Sequence, residues 1–187
     1  MAGSSTDSAP QARFYYDFAS AEAYLVAEQV NTALGAVPEW VPVDLGPPAF
    51  RCAAEIDAYR EDVERRASAL GLQALRWPVE YPFDARPALL AATYAKSIGR
   101  GVAFSLAAFR QAYAAGRDLS ERDWVLIAAA ACEMHPAAVV RGMELRGTAE
   151  RLEAATSEAR AAGVRDVPAL VTPDGAVHDL RDLLTAR

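Results

Sequence analysis

One lysine, two histidines and two cysteines are all that this chain of 187 residues contains of those side chains. Of its 19 cationic residues 18 are arginine and the other is Lys96, and they face 25 carboxylates for a net charge of −6. That balance lacks the basic footprint of a nucleic-acid-binding surface, so no nucleic-acid partner is expected. Cys52 and Cys132 lie eighty positions apart. They form no CxxC pair, no zinc cluster and no disulfide framework, and both read as small buried hydrophobes. His135 and His178 have no matched acids at metal-ligand spacing, so no metal is expected. No run approaches the ~18 consecutive apolar residues of a membrane span. The opening MAGSSTDSAPQ has neither the basic nor the apolar segment of a secretory signal. Residues 1–11 read as a disordered lead-in, and the cytoplasm is the default location.

What the chain has in quantity is alanine, 42 residues, within a composition that is 52% hydrophobic and 24% charged. That is enough apolar chain for an ordered domain with a real core. RFYYDF (13–18) is aromatic-rich and predicts a strand. A helical pattern runs from Ala21 to Leu34, with Ser20 before it and Gly35 as its stop. EWVPVD (39–44) predicts a second strand, and Pro42 within it argues for an edge position or a bulge. Strand, helix and strand in this order form a βαβ unit with parallel strands. From Arg51 to Gly163 the apolar period is helical throughout. Ile56, Tyr59, Val63 and Leu70 mark one helix face, and Val102, Leu106, Phe109 and Tyr113 another. Ser120 with Asp123 resembles a capping box, and Pro136 suits a helix N1 position. PVEYPFDARP (78–87) is a proline-rich loop. VPALVT (167–172), the PDG turn and AVHD (176–179) then predict a hairpin, followed by a terminal helix from about Leu180. The helical block thus interrupts one small sheet.

Two places combine a structural signal with chemistry. Ser20 begins a helix that leaves the carboxyl end of a parallel strand, where open α/β sheets place ligands; the competing reading is a plain N-cap. In GVRDVP (163–168) a proline opens a strand although it cannot donate to the ladder. Among the carboxylates, Glu22 reads as a general base or as a first-turn acid that favours the helix. Asp84 reads as an acid or base in the proline-rich loop, or as a cap before Pro87. Asp17 reads as a ligand of the helix backbone. Trp77, Tyr81, Phe83, Phe104 and Phe109 are either core or the lining of an aromatic-accepting cleft between helices and sheet.

These segments, in this order, resemble the DsbA branch of the thioredoxin-like proteins, in which a helical domain is inserted between βαβ and ββα halves. FYYDFASAEAYL (14–25) is similar to the opening of the 2-hydroxychromene-2-carboxylate isomerases and kappa-class glutathione transferases. VDLG (43–46), YPFD (81–84), GVRDVP (163–168) and HDLRDLL (178–184) resemble later segments of the same family, so the likeness spans about 12–185. It implies an α/β thioredoxin-like domain of residues 12–50 and 164–187 and an inserted helical domain of 51–163. It implies that Ser20 matches the serine that favours a glutathione thiolate. Val167 matches the residue before a cis-proline, Pro168, whose backbone pairs with glutathione. Asp84 stands where the family has an Asn, and Asp179 near an acid that reads the glutathione amine. Phe83 and Arg165 complete the expected binding set, with Arg165 or Arg51 replacing an absent family lysine.

The same alignment places Ser20, Ala21, Glu22 and Ala23 where redox members have Cys-Pro-x-Cys, so dithiol exchange is excluded at this site. The expected function is an isomerase acting on a small aromatic or conjugated carbonyl compound. A cofactor-independent acid/base isomerase or cyclase in the same cleft, and a redox-dead thioredoxin-like binding protein, are the alternatives. Glutathione is the cofactor that the resemblance implies. It is expected to bind weakly or not at all, because Asp84 would repel its carboxylates. A homodimer is left open.

Overall fold

In a computed structural model of the chain, the described residues are 11–181. The lead-in, save Gln11, and the terminal helix expected beyond Leu180 lie outside them. The sheet has four strands: β1 (Arg13–Tyr16), β2 (Glu39–Pro42), β3 (Ala169–Val171) and β4 (Val177–Asp179). Their order is β2-β1-β3-β4, with β1 and β2 parallel and the pairs β1/β3 and β3/β4 antiparallel. Tyr15 lies opposite Val41 on one side and Ala169 on the other. Pro42 sits in the edge strand, where its missing N–H interrupts no ladder.

Between β1 and β2 the chain forms α1 (Ala21–Ala27) and α2 (Val30–Ala33) rather than the single helix that the pattern suggested. The break falls where Gln29 bonds to Val26, one residue short of a regular helical turn. Six helices follow: α3 (Ala53–Ala69), α4 (Arg86–Ser97), α5 (Gly101–Tyr113), α6 (Arg122–Ala130), α7 (Pro136–Glu144) and α8 (Arg146–Ala161). Gly71 and Gly163, at φ +70° and +95°, end α3 and α8 in the left-handed region that glycine adopts without strain. Ser120 is not a cap. Asp118 takes the Ser120 N–H, and Glu121 occupies the N-cap of α6 without a side-chain bond. The cysteines also depart from expectation: Cys52 is exposed, and Cys132 is half-buried.

Alternation along the strands divides the core. Phe14, Tyr16, Trp40 and Leu170 face α1, α4 and α5, where they join Phe18, Phe104, Phe109 and Leu89 in one continuous cluster. Tyr15, Val41, Ala169 and Val171 face the other way, against Ala159 of α8, Val164 and Val167. Sheet and helical block therefore share a core, with α4 packed against α5, α6, α7 and α8. Gly142 of α7 permits one of these contacts, since a Cβ there would lie 2.4 Å from the Tyr94 ring of α4. No helix of the described residues is long and apolar enough to cross a membrane.

Candidate active site

The chain turns sharply between β1 and α1. The Asp17 carboxylate accepts the Ala19 N–H at 2.9 Å, and its carbonyl accepts the Ser20 N–H at 3.2 Å. From beneath, the Tyr113 hydroxyl donates to the Phe18 carbonyl at 2.8 Å and the Tyr81 hydroxyl to the Ala19 carbonyl at 3.1 Å. Buried carbonyls at a turn have no ladder partner, and these two tyrosines satisfy them. Ser20 is held in an extended conformation, and its Oγ accepts the Ala23 N–H at 3.1 Å. It is therefore an N-cap, yet it also reaches across the junction and donates to the Val167 carbonyl at 3.3 Å. The Val167–Pro168 bond is cis, as is Tyr81–Pro82 in the proline-rich loop.

Ser20 opens onto a cleft of about 300 Å³ lined by Asp17, Glu22, the segment Leu45–Ala49, Tyr59, Arg165, Asp166, Val167 and Arg181. A roomier hollow of about 440 Å³ lies beside β2 between α4 and α8. Its cations, Lys96 and Arg151, already bond to Glu39 and Thr148, and the junction is not part of it. The smaller cleft holds the junction serine together with three carboxylates and two arginines.

Three features set its electrostatics. Asp17 is almost fully buried, and burial pushes its pKa up to about 7, against the opposing Ala19 N–H and with the help of the nearby Asp44 and Asp84 charges. Glu22 lies between Arg66 of α3, at 3.2 Å, and Arg181, at 3.6 Å. Burial still raises its pKa, with the two guanidiniums opposing that rise. Arg66 is also held by Asp62, and Arg181 by Asp166 and Asp179. Arg165 is exposed and makes no ion pair among the described residues.

Of the residues singled out in the sequence, Ser20, Glu22, Val167 and Arg165 line the cleft, and Pro168 adjoins it. Asp179 acts at one remove, through Arg181. Asp84 does not line the cleft. It is exposed, and its carboxylate accepts the Arg86 N–H at the start of α4. Phe83 is buried in the core against Tyr81 and Tyr113, so it binds no ligand there. Phe104 and Phe109 are core as well, whereas Trp77 is partly buried beside it. Arg51 pairs with Glu55 and stays outside. His135 caps α7 by position only, His178 is exposed in β4, and the described residues hold no cluster of metal-ligating side chains.

Sequence reasoning missed Arg66, Arg181 and the two roles of Asp17 and Tyr59. Asp17 bonds the backbone of the turn at Ala19 and not the helix itself, and it is a buried carboxyl on the cleft wall. Tyr59 was visible only as one position of an apolar helix face.

Comparison with known proteins bears on this arrangement. The family profile of the DSBA-like thioredoxin domain matches residues 11–185. The chain belongs to the DsbA-like thioredoxin family. Among solved structures, a 2-hydroxychromene-2-carboxylate isomerase superposes with a TM-score of 0.81 at 19% identity, covering 93% of this chain and 90% of that one. A probable DsbA oxidoreductase from Streptomyces coelicolor gives a TM-score of 0.71 at 20% identity, covering 93% and 86%. The cytosolic disulfide reductase DsbM from Pseudomonas aeruginosa gives 0.72 at 15% identity, covering 94% and 92%. No curated protein sequence matches the chain. The structures that superpose thus include both an isomerase and disulfide oxidoreductases, and what they share with this chain is the fold.

Proposed function

We propose that this protein is an isomerase of the 2-hydroxychromene-2-carboxylate isomerase type, acting on a small aromatic or conjugated carbonyl compound. One observation carries the reading. At the junction beside Val167–Pro168, where dithiol chemistry needs a thiolate, a serine hydroxyl opens onto a cleft that it shares with two carboxyls of raised pKa. A hydroxyl forms no mixed disulfide, and neither Cys52 nor Cys132 lines that cleft.

Rotation about a conjugated C=C bond requires that bond to lose double-bond character. Drawing charge onto the carbonyl oxygen does this, because the π electrons move toward that oxygen. Ser20 exchanges its long 3.3 Å bond to Val167 for a bond to the oxygen as charge develops there. In 2-hydroxychromene-2-carboxylate a carboxylate takes the proton of the 2-hydroxyl as the ring C–O bond breaks, so that the carbonyl forms and the ring oxygen leaves as a phenoxide. The phenoxide feeds electrons in the same direction while the C=C bond turns, and the carboxyl then returns the proton to it. Nothing is consumed. Asp17, titrating near neutrality, is suited to both halves of that transfer. Glu22 fixes Arg66 and Arg181 at the wall.

The fold accommodates glutathione in one neighbour, a DsbM structure with GSH, at a TM-score of 0.68 and 14% identity. The residues here do not fit it. The Val167 N–H is taken by Asp166 at 2.8 Å, so the backbone donor that would pair with a peptide is occupied from within. No step is therefore assigned to glutathione. The repulsion expected from Asp84 is not the reason, since that side chain does not line the cleft.

Turnover of 2-hydroxychromene-2-carboxylate, followed by its ultraviolet absorbance, tests the reading. Ser20→Ala is expected to lower kcat/KM by about 100-fold, the effect of removing one donor to a developing oxyanion. An inactive wild-type protein overturns the proposal in favour of a redox-dead binding protein.

A further inference from the structure

Three tyrosines stand in contact beneath and beside the junction. Tyr113 and Tyr81 each donate to a junction carbonyl, as described. Tyr59 of α3 stacks on Tyr81 with ring centroids 6.1 Å apart and planes 10° apart, so its ring belongs to the same cluster. Its hydroxyl is shielded from solvent and makes no well-formed hydrogen bond, although the Tyr81 hydroxyl and the Glu22 backbone are close enough to act on it. Among the described residues only one other buried side-chain atom is in that position, Nε of Arg60. That guanidinium lies over the Trp77 and Tyr81 rings at 5.4 and 5.7 Å, which compensates it. The Tyr59 hydroxyl has only the two loose polar neighbours just named. Burying a donor without a good partner is unfavourable to the fold, and this one belongs to a residue on the cleft wall.

We infer that Tyr59 is a ligand-binding residue of this cleft, its hydroxyl donating to an oxygen of a planar aromatic carboxylate. The inference deepens the reading above and rests on the same cleft being the ligand site. Tyr59 is the aromatic side chain of the cleft lining, and Phe50, Trp77 and Tyr81 pack on it and fix its ring, which offers a planar ligand one rigid aromatic neighbour. Arg165, exposed on the same cleft and without an ion pair among the described residues, suits a carboxylate. Burial and neighbouring groups hold the Tyr59 phenol well above its ordinary pKa, so it acts as a donor and never as a base. The segment Leu45–Ala49, which belongs to no helix or strand, lines the cleft beside Tyr59, and Phe50 lies against the Tyr59 ring.

Salicylate, an aromatic carboxylate with no reaction to undergo, is the probe. Calorimetry is expected to show salicylate binding to wild-type protein and about tenfold weaker binding to Tyr59→Phe, with Arg165→Gln weakened as well. Thermal unfolding without ligand separates this role from a structural one. Tyr59→Phe removes a hydroxyl without a well-formed bond and is expected to leave Tm unchanged or raised, whereas Tyr81→Phe and Tyr113→Phe each lose a buried bond and lower it by a few degrees. Unaltered salicylate affinity in Tyr59→Phe overturns the inference. So does a fall in Tm like that of Tyr81→Phe, or failure of that variant to fold, because either reveals an internal partner. So does the absence of salicylate binding to wild type at millimolar concentration. Failure to isomerise 2-hydroxychromene-2-carboxylate, with salicylate still bound through Tyr59, removes the isomerase reading and leaves this one standing.

Discussion

The aromatic floor under the β1–α1 junction and the cleft above it are built on opposite plans. In the floor, Phe14, Tyr16, Phe18, Trp40 and Phe109 meet ring against ring at 4.8–5.7 Å. Its hydroxyls are matched too, with Tyr16 bonded to Ser105 at 2.6 Å. In the cleft, charges are paired across elements distant in sequence, one carboxyl is poised near neutral pH and one hydroxyl makes no well-formed bond. The floor fixes where Ser20 stands, and the cleft keeps the groups that still have something to bind. Stability and reactivity are thus assigned to opposite sides of the same short turn.

The difference can be broken most severely from below. Phe109→Ala should cost about 3–5 kcal/mol in denaturant titration, as expected for a fully buried aromatic. Next is Asp17. In the folded protein it keeps its proton up to about pH 7, whereas in the unfolded chain it ionises near pH 4. The folded state thus binds more protons across that window, and stability falls as pH rises from about 4 to 7, then levels off. The Asp17→Asn variant keeps an acceptor for the Ala19 N–H. It should flatten that slope and be more stable than wild type at neutral pH, by up to about 4 kcal/mol, while losing turnover. Unfolding free energies at several pH values check both signs.

A smaller effect is expected at Glu22. Glu22→Gln leaves Arg66 and Arg181 their other carboxylates and removes a charge that burial disfavours, so stability at neutral pH should stay level or rise by at most about 1 kcal/mol. Asp84→Asn should do least. Asn serves as well as Asp at a helix start, and both stability, within about 0.5 kcal/mol, and turnover should match wild type. A large loss of turnover there would put Asp84 back in the site.

The floor was largely legible in the sequence and the cleft was not, for a physical reason. Strands and helix faces announce themselves by local period, so RFYY, EWVP and the Val102–Tyr113 face were found within a few residues. The edge position of β2 followed from one proline. Ser20 and Pro168 stood out by local signals, a helix start after a strand and a proline opening a strand, and resemblance then joined the two segments. The partners that give the cleft its character come from elsewhere in the chain: Arg66 lies 44 positions from Glu22, and Tyr59 stands on α3. No local pattern marks such pairings. Asp84 misled for the converse reason, since an alignment position says nothing of which way a side chain points.

The central claim is that the chain's own Ser20 and Asp17 carry the chemistry, without a thiol. The most direct measurement is the rate of 2-hydroxychromene-2-carboxylate isomerisation by one preparation, freed of small thiols and then supplied with glutathione. The account predicts turnover in the thiol-free sample, a rate that glutathione leaves unchanged, and a loss of about 100-fold in Ser20→Ala. A rate at background without thiol, restored by glutathione, would contradict it.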